Sequence, residues 1–198
     1  SKSCIIDNVK GGIGMNIDQA YSILKKYITQ ESLQKHCIAV SATMKHFAQL
    51  NHEDVERWQI VGLLHDIDYE KYPEEHCVKC VEILKSEGVE EDMIHSIQSH
   101  GYGLVQNEVE PKLFMEKILY TIDELTGLVI AAALMQPSKK LEDLTLKSLK
   151  KKWKSKSFAA KVDRELIAKG AEMAELELDY VLEQTLIALQ DAHEELGL

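Results

Sequence analysis

Residues 60–66, Ile60-Val61-Gly62-Leu63-Leu64-His65-Asp66, form an apolar run that ends in a histidine and an aspartate. A charged aspartate held against such a run is costly unless something compensates its charge. His36 lies upstream of the pair and Asp123 downstream, each within its own helical pattern. Imidazole and carboxylate groups are ligands that divalent transition metals prefer. This ordered set therefore predicts a metal centre whose ligands come from separate helices.

Apolar residues recur at three- and four-residue steps along most of the chain, which is the period of an α-helix. The sequence predicts helices over about 32–49, 53–66, 74–86, 90–99 and 111–135, and a short helix and a longer one, beginning after Gly170, between 158 and 196. Asn16, with Gln19 three residues later, matches the start of a further helix. No convincing strand pattern is present, so we expect an all-α fold, a compact helical bundle with a C-terminal helical extension.

Composition divides the chain into three parts. Residues 1–14 are unlike the rest and are expected to be a leader or a short N-terminal arm. Residues 15–136 are expected to form the metal-binding helical domain. Pro137-Ser138 interrupts the helical pattern, and residues 137–198 are expected to form a helical extension packed on the same domain.

Charge and hydropathy exclude several classes of protein. The net charge of -10 argues against general nucleic-acid binding, which needs a basic surface. The longest apolar stretch, 127–135, is shorter than the roughly 18 residues that a membrane-spanning helix needs. Four cysteines in 198 residues do not make a disulfide framework, so we expect reduced thiols and a cytoplasmic location.

Two further histidines lie between the His-Asp pair and Asp123. His76 follows His65 by 11 residues, and His100 ends the next predicted helix. Each alone is weak evidence, since a histidine near a helix end is often a cap or a surface residue. Together with the first four residues they make six ligands, enough for two metal ions with Asp66 bridging them. Such a centre keeps a net positive charge that suits a phosphate group.

The arrangement resembles the HD-domain superfamily of metal-dependent phosphohydrolases. The matching motif is His36, His65-Asp66 and Asp123, within Leu63-Leu64-His65-Asp66-Ile67-Asp68 and Tyr120-Thr121-Ile122-Asp123-Glu124-Leu125. The resemblance covers about residues 30–135, and similarity to a subgroup of uncharacterised bacterial HD-domain hydrolases extends it toward 170. It implies a first metal held by His36, His65, Asp66 and Asp123 and a second held with His76 and His100.

The resemblance implies an all-helical fold and a phosphohydrolase that acts on a phosphomonoester or phosphoanhydride of a small nucleotide-like molecule through metal-activated hydroxide. One or two ions are expected, iron or manganese, with magnesium, nickel or zinc as alternatives. A di-iron oxygenase of the same superfamily and a non-catalytic metal-binding regulatory module stay open. So does assembly into a homo-oligomer. The chain has His100-Gly101-Tyr102-Gly103 where cyclic-dinucleotide phosphodiesterases carry Gly-Tyr-Pro, so that activity is not predicted.

Other polar residues are candidates for supporting roles. Asp66 and Asp68 are the candidate catalytic carboxylates; Asp68 could be a base or a partner of a metal ligand, although such a residue often only caps a loop. Four residues are candidates for substrate binding: Lys71, Tyr102, Lys139 and Lys140. Lysine is a good point-charge partner for phosphate. Cys77 and Cys80 lack the second cysteine pair of a zinc site, and helical i,i+3 spacing predicts two packed thiols.

Overall fold

The computed structural model describes residues 14–104 and 107–198, and all regular structure in these ranges is helical. The α-helices are α1 (Ile17–Tyr27), α2 (Glu31–Leu50), α3 (Val55–Leu64), α4 (Lys79–Ser86), α5 (Glu91–Ser99), α6 (Phe114–Leu134), α7 (Leu146–Lys154), α8 (Arg164–Met173), α9 (Leu178–Asp191) and α10 (His193–Leu196). Two short 3₁₀ turns occupy Pro73–Glu75 and Leu141–Asp143. The all-α prediction is confirmed. Across the described ranges, every helix is too short or too polar to cross a bilayer.

Helix α1 begins as its sequence predicts. The Asn16 side chain accepts a hydrogen bond from the backbone N–H of Gln19 at 2.8 Å, and the Gln19 side chain accepts one from the backbone N–H of Asn16 at 2.8 Å. This reciprocal pair satisfies two donors that a helix start leaves without partners. The predicted leader or arm falls almost entirely on residues 1–13, which lie outside the described residues.

Helices α2 and α3 pack closely because Gly62 has no side chain. A Cβ atom at this position would lie 2.9 Å from both Cγ of Met44 and Cα of Ser41. The Ser41 hydroxyl also donates to the Gln59 carbonyl at 2.9 Å, which ties the two helices together. This close contact brings the His36-bearing helix against the helix that ends in the His-Asp pair.

The predicted helix over 74–86 is wrong at its beginning. Helix α4 starts only at Lys79, after a 3₁₀ turn, and Cys77 has a φ of 66° in the left-handed region. The reason is Asp68, whose carboxylate accepts the backbone N–H groups of both Cys77 and Cys80. His76 therefore lies in an irregular turn, and Cys77 and Cys80 are not helical i,i+3 neighbours as expected. Both thiols are nevertheless buried.

The boundary predicted at Gly170 is also wrong. Gly170 lies inside α8, where a Cβ atom would be 2.9 Å from Cα of Thr121 on α6. The glycine permits a close helix contact and does not end a helix. The longer helix, α9, begins at Leu178, and the separate helix α7 lies within a lysine-rich segment, residues 139–161.

Helix α6 is the central element of the core. Its buried apolar residues pack against α2, α8 and α9. Its start is fixed by Glu116, which is almost fully buried and accepts from the backbone N–H groups of Lys112 and Leu113 and from the Ser96 hydroxyl. Asp123 lies near the middle of this rigid helix, so its carboxylate has a well-defined position.

Candidate metal centre

His36, His65, Asp66 and Asp123 converge on one point. The Nε2 atoms of His36 and His65 lie 3.2 Å apart, and Oδ1 of Asp123 is 2.9 Å from the first and 3.0 Å from the second. Oδ2 of Asp66 is 3.3 Å from both nitrogens. Four donor atoms from α2, the end of α3 and α6 therefore share one centre, which we call the first group.

His76 and His100 form a second group on the other side of Asp66. Their Nε2 atoms are 3.3 Å apart, and each lies 3.4 Å from Oδ1 of Asp66. The two oxygens of Asp66 thus face different groups. A single carboxylate in this position can bridge two ions.

Three of the four rings are held so that Nε2 faces the centre. Nδ1 of His65 donates to the Gly62 carbonyl at 2.7 Å, and Nδ1 of His100 donates to the Ile97 carbonyl at 2.5 Å. Nδ1 of His76 is 2.7 Å from Oδ1 of Asp68. Because carbonyl and carboxylate oxygens only accept, a neutral ring at each position carries its lone pair on Nε2. That is the tautomer a metal ligand needs.

The donor spacing fits metal ions. Nitrogen and oxygen ligands about 2.0–2.2 Å from one ion, at angles of roughly 90–110°, lie about 2.8–3.6 Å from one another. The separations in both groups run from 2.9 to 3.4 Å. Without a cation or protons, the Nε2 lone pairs of His36 and His65 would face each other at 3.2 Å. The residues present therefore fit one ion in each group.

The histidines and aspartates of the first group shift one another's pKa values. Burial alone would lower the pKa values of His36 and His65, but Asp66 and Asp123 outweigh it and raise both to about 10. Burial alone would raise the pKa of Asp66, but the surrounding rings, His65 above all, hold it well below its usual range. The pKa of Asp123 is likewise lowered by His65 and His36 against its burial. The acids thus stay ionised, and a cation is favoured among them.

The candidate ligands differ in how far they are buried. The side chain of His65 is fully buried and that of His100 is 3% exposed. His36, Asp123 and His76 are 27%, 20% and 18% exposed. His36, Asp123 and His76 are therefore the candidate ligands most open to solvent.

Asp68 is fully buried, with both carboxylate oxygens engaged. Oδ1 contacts Nδ1 of His76, and Oδ2 accepts the backbone N–H groups of Cys77 at 2.8 Å and Cys80 at 2.9 Å. This geometry favours a role in orienting His76 over one as a general base. The catalytic role expected for Asp68 stays a prediction.

The four residues predicted to bind substrate are placed differently from one another. The exposed Lys71 directs Nζ to the Lys26 carbonyl at 3.4 Å and over the Tyr27 ring. Tyr102 lies in the turn directly after His100, with Nζ of Lys169 5.7 Å from its ring. The exposed Lys139 and Lys140 line a surface depression with the C-terminal residues Gly197 and Leu198. Of the four, Tyr102 is the nearest in sequence to a candidate ligand, since it lies two residues after His100.

Three residues near the centre were not among the predicted site residues. Tyr69 is 48% exposed and packs edge to face against the His76 ring, with centroids 5.1 Å apart. Sγ of Cys77 lies 3.5 and 3.9 Å from the two ring nitrogens of His100. The thiol therefore lies beside the ring, close enough to be a further candidate ligand in the second group. The sequence signal that could have identified Tyr69 and Cys77 as site residues is their position directly after Asp68 and His76.

Glu124 is the third such residue. Its Oε2 is buried and has no hydrogen-bond partner among residues 14–104 and 107–198. Burial, reinforced by the neighbouring Asp123, raises the pKa of Glu124 to about 7. It is therefore a carboxyl group that takes up a proton near neutral pH.

The described residues thus define an all-helical protein in which four histidines and two aspartates meet in a cluster that could hold metal ions. The sequence model of the HD domain matches residues 33–128, which include all six candidate ligands. These residues therefore form an HD domain, and the HD domain is typically a metal-dependent phosphohydrolase. Helices α7 to α10 lie outside the matched range. Searches of curated proteins and of solved structures give no significant match.

Proposed function

We propose that this protein is a hydrolase that cleaves a phosphomonoester or phosphoanhydride of a small nucleotide-like molecule at a binuclear metal centre. The observation that carries the proposal is the position of Asp66, whose two oxygens face separate groups at 3.3 and 3.4 Å. Membership in the HD-domain family supports phosphoester chemistry.

The residues divide into two ligand sets. His36, His65, Asp123 and Oδ2 of Asp66 would hold the first ion, and His76, His100 and Oδ1 of Asp66 would hold the second. When bound, divalent ions supply an activated water and take up negative charge that develops on phosphoryl oxygens. Two divalent ions against two carboxylates leave a positive centre that attracts phosphate.

The protein's own contribution is rigid placement. Because His65, His76 and His100 are fixed through Nδ1, their Nε2 atoms keep their directions while substrate binds. The partly exposed His36, Asp123 and His76 would leave room for the phosphate group, while His65 and His100 are buried. Nitrogen and oxygen donors suit iron or manganese, with magnesium, nickel or zinc as alternatives. The buried free thiols of Cys37, Cys77 and Cys80 support a place of action in the reducing cytoplasm.

The test combines elemental analysis with a screen of phosphorylated metabolites. Wild-type protein loaded with manganese or iron(II) is expected to hold two ions and to release phosphate from at least one nucleotide-like ester. Asp66→Ala is expected to lose both. Asp179→Ala is the matched control, since Asp179 is an exposed aspartate that pairs with Lys150.

Two results would contradict the proposal. One is full phosphate release by metal-free Asp66→Ala. The other is a wild-type protein that holds its ions but releases no phosphate from any ester. Substrate-dependent oxygen consumption by the iron form would identify the oxygenase alternative. Full coordination with no turnover of any kind would identify a regulatory module.

A further inference from the structure

We propose that the thiolate of Cys77 is a ligand in the second group, where it joins His76, His100 and Asp66 to make a set of two nitrogens, one oxygen and one sulfur. This inference rests on the binuclear centre of the proposed function, and it adds a ligand and a chemical class for the second ion. The class is a thiophilic ion such as zinc, because thiolate ligands select such ions over magnesium and manganese.

The sulfur of Cys77 lies at the second group. Its Sγ is 3.5 Å from Nε2 of His100, and the donor atoms of His76, Cys77 and His100 all lie within 4.8 Å of one another. A nitrogen and a sulfur bound to zinc at tetrahedral angles, about 2.05 and 2.3 Å from the ion, are about 3.5 Å apart. The separation between Sγ and Nε2 therefore fits two ligands of one ion.

The other donors of the second group have the spacing of the same kind of site. The Nε2 atoms of His76 and His100 are 3.3 Å apart, and each is 3.4 Å from Oδ1 of Asp66. Two ligands about 2.05 Å from an ion at tetrahedral angles are about 3.3 Å apart. In the first group, Oδ1 of Asp123 is only 2.9 and 3.0 Å from the two histidine nitrogens, which suits the smaller angles of an octahedral ion. The two groups thus differ in both donor type and spacing.

Packing in the apolar core does not account for Cys77. Cys37, Cys77 and Cys80 are all fully buried, but only Cys37 and Cys80 belong to the apolar core cluster. The sulfur of Cys77 instead contacts the imidazole of His100. A free cysteine is ordinarily a small buried hydrophobe. That description fits Cys37 and Cys80, whereas Cys77 is buried against a polar ring of the centre.

The turn that carries Cys77 is held in an unfavourable conformation. Its φ of 66° lies in the left-handed region, which residues other than glycine rarely adopt. Asp68 holds this turn, because its Oδ2 accepts the Cys77 N–H at 2.8 Å while its Oδ1 contacts Nδ1 of His76. One buried carboxylate thus positions both the His76 ring and the Cys77 backbone. A single torsion between Cα and Cβ lets the sulfur adjust to an ion while that backbone stays fixed.

The experiment uses cobalt(II), which replaces zinc and gives a near-ultraviolet charge-transfer band when it is bound to a thiolate. Wild-type protein that holds two cobalt ions is expected to show this band. Cys77→Ser keeps the size of the side chain but replaces the sulfur with a hydroxyl group, and it is expected to lose the band. The matched control is Cys80→Ser, which changes a buried core thiol three residues away and should keep the band.

Metal selectivity is the second measurement. Loss of an outer partner of a metal ligand already costs about 10–100-fold in affinity, so Cys77→Ser should weaken zinc binding in the second group by about 100-fold or more. Manganese gains little from a thiolate, and its affinity should fall less than about tenfold. Competition with a chelator measures both affinities in wild type and in the variant.

The outcomes separate this inference from the function on which it rests. Two bound cobalt ions without the band in wild type would overturn Cys77 as a ligand, a result that does not depend on the folding of any variant. A band that persists in Cys77→Ser, or equal losses of zinc and manganese affinity, would also overturn it. Phosphate release by wild type in these cases would leave the proposed function intact. Failure of wild type to hold a second ion would overturn both, and a band that depends on Cys77 without any phosphate release would overturn the function alone.

Discussion

Asp68 joins His76 to the beginning of α4. One carboxylate oxygen contacts Nδ1 of His76 at 2.7 Å, and the other accepts the backbone N–H groups of Cys77 and Cys80. The same residue thus orients a candidate metal ligand and determines where the following helix starts. Carboxylate partners of this kind raise the basicity of a ligating imidazole and hold its direction.

The substitution Asp68→Asn tests this relationship. The asparagine side chain has one acceptor oxygen where the Asp68 carboxylate has two. Its NH₂ group would therefore face either Nδ1–H of His76 or the backbone N–H groups of Cys77 and Cys80. We expect affinity for the second ion to fall about 10–100-fold, with the first ion retained. Calorimetric titration with manganese checks this. Asp54→Asn is the control, because Asp54 caps α3 and asparagine caps helices equally well. Equal loss of both ions would contradict an effect through His76.

Alanine at His36 and at His76 should separate the two groups. His36 contributes only to the first group and His76 only to the second. Each variant is expected to bind one ion fewer than wild type by elemental analysis, and the double variant none tightly. Identical stoichiometry in wild type and His76→Ala would show that the centre holds a single ion.

Metal binding is expected to release protons. In the metal-free protein, Asp66 and Asp123 raise the pKa values of His36 and His65 to about 10, so both rings are protonated at neutral pH. An ion can bind Nε2 only after that proton leaves. Apparent affinity should therefore rise with pH. Calorimetry in two buffers of different ionisation enthalpy measures the number of protons released; a heat that does not depend on the buffer would contradict the prediction.

The stability of the metal-free protein should fall in alkaline solution. The histidine pKa is about 10 in the folded state against 6.5 for the ordinary side chain. The resulting stabilisation is complete below pH 6.5 and is lost as the pH rises through 10. Asp66 and Asp123 have lowered pKa values, so their contribution is present above pH 3.8 and is lost in acid. Urea unfolding after chelation should thus give a larger free energy at pH 6 than at pH 9.

Two glycine-to-alanine substitutions should have opposite effects on the free energy of unfolding. Gly62→Ala forces a methyl group to within 2.9 Å of α2 and should destabilise the fold by about 1–3 kcal/mol. Gly127→Ala enters open space and should stabilise it by up to about 1 kcal/mol. Urea denaturation of the metal-free proteins compares the two directly. Destabilisation by Gly127→Ala would show that the space is needed for packing.

The helical fold was predictable because its signal is local. The apolar period of α2 and α6 is visible over a few turns of helix. The capping pair at Asn16 and Gln19 is visible within one turn. The beginning of α4 was not predictable, because it depends on Asp68, nine residues before Cys77, acting as an acceptor. Gly170 permits a close helix contact with Thr121, which is distant in sequence. Without knowledge of that contact, the sequence indicated a helix end at the glycine.

The candidate ligands could be named from sequence because their order along the chain is characteristic. Their division into two groups around Asp66 was also predicted, from the resemblance to the HD-domain superfamily, whereas the direction of each carboxylate oxygen is visible only in the structure. The contact between the Tyr69 ring and His76 was missed because it depends on the conformation of the turn between them.

The close approach of Gly170 to Thr121 has a consequence for chimeric proteins. Thr121 is two residues from Asp123, and α8 lies beyond the matched HD-domain range. A helix outside that range therefore packs against the part of α6 that carries a candidate ligand. A chimeric protein that contains only residues 33–128 would lose the packing of α8 against α6. A transplant that preserves the angle of Asp123 should carry α8 with it.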